Sequence, residues 1–129
     1  MTATLNHTIV WCHDRYRSSA FLAEILGLRP PRPFLHFMVV ELANGVSLDF
    51  MDKEGTVAPQ HYAFHVSDAE FDAGFARIKA RNIPYWADPG RSQPGEINRH
   101  WGGRGVYFED PDGHLLELIT KPYGSPEAL

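Results

Sequence analysis

Apolar and polar residues alternate at the start of the chain in a way that predicts a strand followed by a helix. The β-branched run over residues 5–12 is typical of a strand and carries His7 near its beginning. Asp14 is placed to cap a helix over residues 15–26, and Gly27 is placed to end that helix. The chain therefore opens with a β-α unit.

The remainder of the first half predicts an apolar helix side and a hairpin. Tyr16, Ala20, Phe21 and Leu26 fall near one side of the helix. Prolines interrupt the next segment, and strands are predicted over residues 34–42 and 46–51. Asn44-Gly45 between them is a typical two-residue hairpin turn.

The second half repeats this pattern of elements. The predicted order is a strand at 60–66, a helix to about residue 82, a short strand at 85–87, a loop at 88–104, and strands at 105–109 and 114–120. Ser67 and Glu70 have the spacing of a capping box at the helix start. Asp110-Pro111-Asp112-Gly113 supplies the turn before the last strand.

Two fixed offsets superimpose the halves and indicate a duplication. A shift of 54 residues places His7 on His61, and a shift of 68 places Asp49 on Glu117. The inferred organisation is module one at about residues 5–51, a linker at 52–59, module two at about 60–120, and a tail at 121–129. Strands and helices in this order predict an α+β fold.

Composition limits the class of protein. The chain has 129 residues, a formal net charge of −4 and a pI near 5.9, which argues against nucleic-acid and anionic-membrane partners. The opening residues lack the basic and apolar regions of a signal peptide, and no apolar run is long enough to span a bilayer. The single Cys12 fits a reducing compartment, and we expect a cytoplasmic protein.

Histidine and carboxylate residues occupy matched positions in the two halves. Each half has a histidine near the start of its first strand and a carboxylate, Asp49 or Glu117, inside its last strand. Glu117 lies among apolar neighbours, so it either faces solvent on an edge strand or points inward to a metal or buried partner. Imidazole and carboxylate together suit Zn, Fe(II), Mn or Ni, and two histidines with one carboxylate form the arrangement that activates oxygen on iron.

Three segments of the chain resemble the metal-bearing segments of a known superfamily. They are Leu5-Asn6-His7, His61-Tyr62-Ala63-Phe64 and Asp110 to Glu117. They are similar to those of the vicinal oxygen chelate superfamily, which includes glyoxalases, fosfomycin- and bleomycin-resistance proteins and extradiol dioxygenases. The resemblance implies two βαβββ modules whose sheets curve around a cavity. It also implies one divalent metal ion held by His7, His61 and Glu117, and a homodimer.

Superfamily membership leaves the activity open. A metal-dependent enzyme would act on a small oxygen-chelating substrate by lyase, isomerase or dioxygenase chemistry, with Asp49 and Glu117 as its candidate catalytic residues. Asp49 stands where glyoxalases carry a Glu ligand, so we consider it as a general base beside the metal or as a residue hydrogen-bonded on its own strand. The alternative function is metal-free binding of a drug or metabolite, as in the bleomycin-resistance relatives.

The 17-residue loop over 88–104 is the predicted specificity segment. Arg91, Arg99 and Arg104 are candidate partners for a carboxylate or phosphate. Trp101 offers an aromatic surface to a planar or apolar ligand. We therefore expect a small-molecule substrate, with an anionic one as the natural candidate.

Overall fold

The computed structural model of the protein describes residues 2–126, and Met1 and residues 127–129 lie outside that range. The predicted tail is thus described as far as Pro126, and its last three residues are not. The chain divides into two compact units, Met1–Ala58 and Pro59–Leu129. Each unit has its own sheet and its own helix.

The two units contain the same elements in the same order. Unit 1 consists of β1 (His7–Cys12), α1 (Arg15–Leu26), β2 (Arg32–Phe34), β3 (Phe37–Glu41) and β4 (Ser47–Asp52). Unit 2 consists of β5 (His61–His65), α2 (Asp68–Ala80), β6 (Tyr85–Trp86), a 3₁₀ turn at His100–Gly102, β7 (Gly105–Glu109) and β8 (Leu115–Ile119). The strand orders are β1-β4-β3-β2 and β5-β8-β7-β6, so the predicted α+β class is confirmed.

Strand register places the histidine and the carboxylate of each unit at equivalent points. In unit 1 the parallel pair β1 and β4 sets Asp49 opposite Ile9, two residues beyond His7. In unit 2 the parallel pair β5 and β8 sets Glu117 opposite Ala63, two residues beyond His61. Side chains two residues apart share a face of a sheet, so each His lies on the same face as its carboxylate.

Both helices begin at the predicted capping residues. The Asp14 carboxylate accepts hydrogen bonds from the backbone N–H groups of Tyr16 and Arg17 at 3.0 and 3.2 Å. The Ser67 hydroxyl accepts one from Glu70 N at 3.1 Å. Both caps satisfy N–H groups that have no partner within the helix.

The buried face of α1 does not follow the apolar residues alone. Tyr16 is 59% exposed, whereas Ser18 and Ser19 are fully buried. Ser19 is accommodated because its hydroxyl donates a 2.6 Å hydrogen bond to the carbonyl of Arg15 one turn earlier. A serine bonded in this way can be buried without leaving its hydroxyl unsatisfied.

The proline-rich segment before β3 forms a strand that the sequence did not predict. Arg32–Phe34 pairs antiparallel with β3 at the edge of the first sheet. A proline is tolerated there because no further strand requires a hydrogen bond from its backbone nitrogen. Leu35, with φ of 53°, begins the turn into β3. The segment predicted as one strand at 34–42 therefore contains the last residue of β2, a tight turn and then β3.

The long segment between β6 and β7 is held against unit 2 by backbone bridges. Pro94 bridges Trp86, and Asn98 bridges Gly105. The Asn98 side chain also donates to the carbonyl of Ala87 at 2.9 Å. Within residues 2–126, no helix has the length and apolar character needed to cross a membrane.

Candidate metal and substrate site

The second unit brings two of the predicted metal ligands into contact. His61 begins β5 and Glu117 lies in the centre of β8, and the two strands are directly paired. His61 Nε2 lies 3.2 Å from Glu117 Oε1. The Glu117 side chain is 1% exposed and the His61 side chain is 44% exposed, so a buried carboxylate meets an accessible imidazole.

The hydrogen bond on the other side of the His61 ring determines what can lie between these two groups. Nδ1 is 2.9 Å from the carbonyl oxygen of Leu115, which can only accept, so Nδ1 carries a proton. In a neutral imidazole, Nε2 then presents a lone pair to the ionised carboxylate of Glu117. Two acceptors facing each other require a proton or a metal ion between them.

The donor separation fits a metal ion. Ligand bonds of about 2.0–2.2 Å at octahedral or tetrahedral angles set neighbouring nitrogen and oxygen donors about 2.8–3.6 Å apart. The observed 3.2 Å between His61 Nε2 and Glu117 Oε1 lies in that range. The bond from His61 to the Leu115 carbonyl is also the usual second contact of a metal-binding histidine. These residues fit the metal that the sequence resemblance implies.

Two tyrosine hydroxyls complete the surroundings of Glu117. Tyr123 OH lies 2.7 Å from Oε1 and 2.8 Å from Oε2 of Glu117, and Tyr107 OH lies 3.0 Å from Tyr123 OH. Burial, together with the bond to Tyr123, raises the pKa of Tyr107 well above its ordinary value of 10.0. Burial also raises the pKa of Tyr123. Both phenols therefore keep their protons at neutral pH.

A cavity of about 370 Å³ opens beside these tyrosines. Its described lining consists of His100, Trp101, Tyr107 and Tyr123. Trp101 and Tyr123 have ring centroids 6.5 Å apart, and the His61 ring stacks on Tyr107 at 6.0 Å with an interplanar angle of 15°. The cavity thus has flat aromatic walls close to the His61 imidazole and the Glu117 carboxylate. Such a cavity suits a planar ligand with polar groups at one edge.

The first unit holds the other two predicted residues in a more open setting. His7 is exposed, and its Nδ1 lies 2.7 Å from Asn6 Oδ1. Asp49 is half-buried and accepts a 3.0 Å hydrogen bond from Ser47 Oγ. Within residues 2–126 the structure forms no group of three or more His, Cys, Asp or Glu side chains placed to hold a metal ion. The assignment of His7 and Asp49 to the site stays a prediction.

The candidate substrate residues divide into one at the cavity and two in ion pairs. Trp101 lines the cavity, with φ of 60° in the 3₁₀ turn. The Arg91 guanidinium pairs with Glu109 at 2.7 Å, and Arg104 pairs with Asp68 and Asp72 at 3.0 and 2.7 Å. Neither arginine is among the described lining residues. For either one to bind a ligand, it would have to leave or share its carboxylate partner.

Sequence reasoning missed Tyr107 and Tyr123. Tyr107 could have been found, because the predicted hairpin of β7 and β8 sets it directly opposite Glu117. Tyr123 had no such signal, since it belongs to the predicted tail and reaches the carboxylate through a turn after β8. His100, which no motif or matched position singles out, also lines the cavity.

Two units with the same strand order, each with a histidine and a carboxylate at equivalent register positions, are typical of the vicinal oxygen chelate fold. A family model described as Glyoxalase/Bleomycin resistance protein/Dioxygenase superfamily matches residues 4–118. The chain belongs to this superfamily.

Two solved structures share most of their sequence with the chain. The structure named Oxidase ChaP-H1 is 60% identical, with a TM-score of 0.94, over 96% of this chain and 100% of that one. Oxidase ChaP-H2 is 56% identical, with a TM-score of 0.95, over 97% and 98%.

A curated relative is the glutathione transferase FosA of Serratia marcescens, 29% identical over 92% of this chain and 81% of its own. The metallothiol transferase FosB of Shouchella clausii (strain KSM-K16) is 36% identical over 61% of this chain. The chain spans only half the length of FosB. These relatives carry the names of enzymes, which supports an enzyme of the same superfamily.

Proposed function

We propose that the protein is a divalent-metal-dependent oxidase that acts on a small planar substrate with adjacent oxygen atoms. The observation that carries the proposal is the pair of His61 Nε2 and Glu117 Oε1, two electron-pair donors 3.2 Å apart at a buried carboxylate. His7 would be the third protein ligand. The resulting set of two histidines and one carboxylate leaves open positions for substrate and oxygen.

The oxidase assignment is supported by the relatives of high identity. The proteins that are 60% and 56% identical are both named oxidases. The relatives named as transferases are 36% and 29% identical, and the first of these aligns over only 81 residues. Conserved chemistry is more common at the higher identity, so oxidation is preferred over thiol transfer.

The residues around His61 and Glu117 each have a defined task in this proposal. The carbonyl of Leu115 fixes the His61 ring with Nε2 directed at Glu117, and the two tyrosines hold the carboxylate. Trp101 and the tyrosine rings bind the flat face of the substrate and exclude water from it. A bound divalent ion would supply Lewis-acid polarisation of the substrate oxygens and, as Fe(II), oxygen activation.

Oxygen uptake tests the reaction type. Chelator-treated protein is reconstituted with Fe(II), Mn(II), Ni(II) or Zn(II) and offered aromatic vicinal diols, aliphatic vicinal diols and α-keto compounds. We expect oxygen consumption with a redox-active metal and an aromatic substrate, and its loss in Glu117→Gln, which keeps the side-chain volume. Oxygen uptake that is the same without metal and in Glu117→Gln would refute the proposal.

Other outcomes of the same panel identify other members of the superfamily. Turnover of an α-keto compound without oxygen uptake would indicate lyase or isomerase chemistry. In that case Asp49→Asn should retain metal but lose most turnover, because Asp49 would be the general base. A ligand that stabilises the protein equally after chelator treatment would indicate a metal-free binding protein.

The assembly state and the location in the cell complete the proposal. We expect a homodimer in the cytoplasm, with a small molecule as its substrate. Light scattering coupled to size-exclusion chromatography measures the first directly, and a mass of one 14.6 kDa chain would contradict it.

A further inference from the structure

Tyr123 reaches a buried carboxylate from an otherwise exposed position. The residue is 60% exposed, yet its hydroxyl lies 2.7 and 2.8 Å from the two oxygens of Glu117. A turn holds it there, because Ser125 donates to the carbonyl of Pro122 from its backbone N–H at 3.1 Å and from its hydroxyl at 2.6 Å. Gly124, with φ of 78°, provides the left-handed residue of this turn.

The direction of the hydrogen bonds follows from the number of protons available. An ionised carboxylate can only accept, so Tyr123 donates its single hydroxyl proton to Glu117. The Tyr107 hydroxyl, 3.0 Å from that of Tyr123, is then the donor to the Tyr123 oxygen. The two phenols form a directed chain that ends on the carboxylate, and each bond in such a chain strengthens the next.

The two oxygens of Glu117 have different further neighbours. Oε1 faces His61 Nε2 at 3.2 Å, on the side where the proposed metal would be shared. The Tyr123 hydroxyl lies at nearly the same distance from both oxygens, 2.7 Å from Oε1 and 2.8 Å from Oε2. Tyr123 can therefore keep its bond to Oε2 while Oε1 serves as a ligand. Hydrogen bonds of this kind fix the orientation of a ligating carboxylate.

The same side chain also forms part of the cavity wall. Tyr123 lines the cavity together with His100 and Trp101, and its ring lies 6.5 Å from that of Trp101. Its aromatic face is available to a ligand while its hydroxyl is bound to Glu117. Tyr123 therefore lines the cavity and also contacts the carboxylate.

We propose that Tyr123 is a positioning residue for the metal centre, holding Glu117 through Oε2 so that Oε1 is directed at the ion shared with His61. This inference rests on the proposed metal site. Tyr123 would act through Glu117 and not as a ligand, and the Tyr107 hydroxyl donates to the Tyr123 oxygen. The segment after β8 is consequently part of the site and not an appendage to it.

Cobalt(II) titration of chelator-treated protein tests this role without any substrate. Wild type, Tyr123→Phe, Tyr107→Phe and Glu117→Gln are compared, with Tyr16→Phe as the matched control on α1, where the tyrosine is 59% exposed. Calorimetry gives the affinity, and the visible absorption of bound cobalt reports the ligand geometry. Circular dichroism confirms that each variant is folded.

We expect Tyr123→Phe to weaken cobalt binding about tenfold and to change the visible spectrum, as loss of an outer-shell partner does. Tyr107→Phe should give a smaller loss in the same direction, and Tyr16→Phe should match wild type. An affinity and spectrum of Tyr123→Phe equal to those of wild type, or tighter binding, would overturn the inference.

The Glu117→Gln titration separates this inference from the proposed function. If Glu117→Gln loses cobalt while Tyr123→Phe binds it like wild type, the metal site stands and the role of Tyr123 is wrong. If wild type fails to bind cobalt, or Glu117→Gln binds it equally well, the metal assignment fails and the role of Tyr123 fails with it.

Discussion

Arg104→Ala distinguishes a structural arginine from a ligand-binding one. The Arg104 side chain is 21% exposed and pairs with Asp68 and Asp72 at the start of α2. Its Nη2 also donates to the carbonyl of Asp68 at 3.1 Å, and its guanidinium lies 4.5 Å from the ring centre of Phe71, which is fully buried. We expect the substitution to destabilise the fold and to leave ligand binding intact.

The size of the effect follows from these contacts. Asp68 and Asp72 are 78% and 67% exposed, so each ion pair contributes only about 0.2–1 kcal/mol. The bond to the Asp68 carbonyl contributes about 1 kcal/mol, and the contact over Phe71 about 0.5–1 kcal/mol. The free energy of unfolding should fall by about 2–4 kcal/mol, which lowers the melting temperature of a chain of this length by about 7–15 °C.

Thermal unfolding in low and high salt measures the effect. Because ion pairs at exposed carboxylates are screened, the difference between wild type and Arg104→Ala should shrink in about 1 M salt without vanishing. Arg91→Ala is the matched control from the same loop. Its pair with Glu109 is 38% and 42% exposed, so we expect a loss of about 1 kcal/mol or less.

Two results would refute this reasoning about Arg104. The first is a melting temperature unchanged by Arg104→Ala. The second is a loss of anionic-ligand affinity in Arg104→Ala, which would support the prediction that Arg104 binds substrate and would show that the ligand displaces Asp68 and Asp72.

Two further substitutions test local features of the second unit. Gly103→Ala should destabilise the fold by about 1–3 kcal/mol in urea unfolding, because a Cβ there would lie 2.6 Å from both Lys121 Cγ and Thr120 Oγ1. Unchanged unfolding would mean that these two side chains readily shift. A hydrogen bond from Ser92 lowers the pKa of Asp88 below its ordinary 3.8, so this contribution to stability is present above pH 3.8 and is lost as pH falls through the folded-state pKa. The backbone amide signals of Ser92 and Gln93 should titrate below pH 3.8 in wild type and not in Asp88→Asn; a midpoint at or above 3.8 would contradict the assignment.

Local sequence signals predicted the framework of the fold well. Asp14, Ser67 and Gly27 cap helices at the expected positions because capping depends on residues close in sequence. The matched offsets of the two halves predicted equivalent strands, and the paired registers at Asp49 and Glu117 agree with that expectation. Contacts set by local chemistry and by repetition can be inferred without a structure.

Features that depend on packing were harder to predict. Ser18 on α1 is fully buried although its side chain is polar, so an apolar stripe could not reveal its position. The strand at Arg32–Phe34 was not predicted because it contains a proline. A proline cannot donate a hydrogen bond between strands, but at the edge of a sheet that bond is not needed.

The candidate site was predictable only in part. His61 and Glu117, two of the metal ligands that the resemblance implies, lie in contact, and their role as ligands stays a prediction. Tyr123 was missed because its contact with Glu117 depends on a turn after the last strand, and the ion pairs of Arg91 and Arg104 join residues 18 to 36 positions apart. Side-chain partners at such separations are set by the tertiary fold.

Metal content is the most direct test of the central claim. Wild type, His61→Ala and Glu117→Ala are purified without chelator, dialysed against a limiting mixture of Fe(II), Mn(II), Ni(II) and Zn(II), and measured by elemental analysis. We expect one divalent ion per chain in wild type and its loss in both variants. Equal metal content in all three proteins would contradict it.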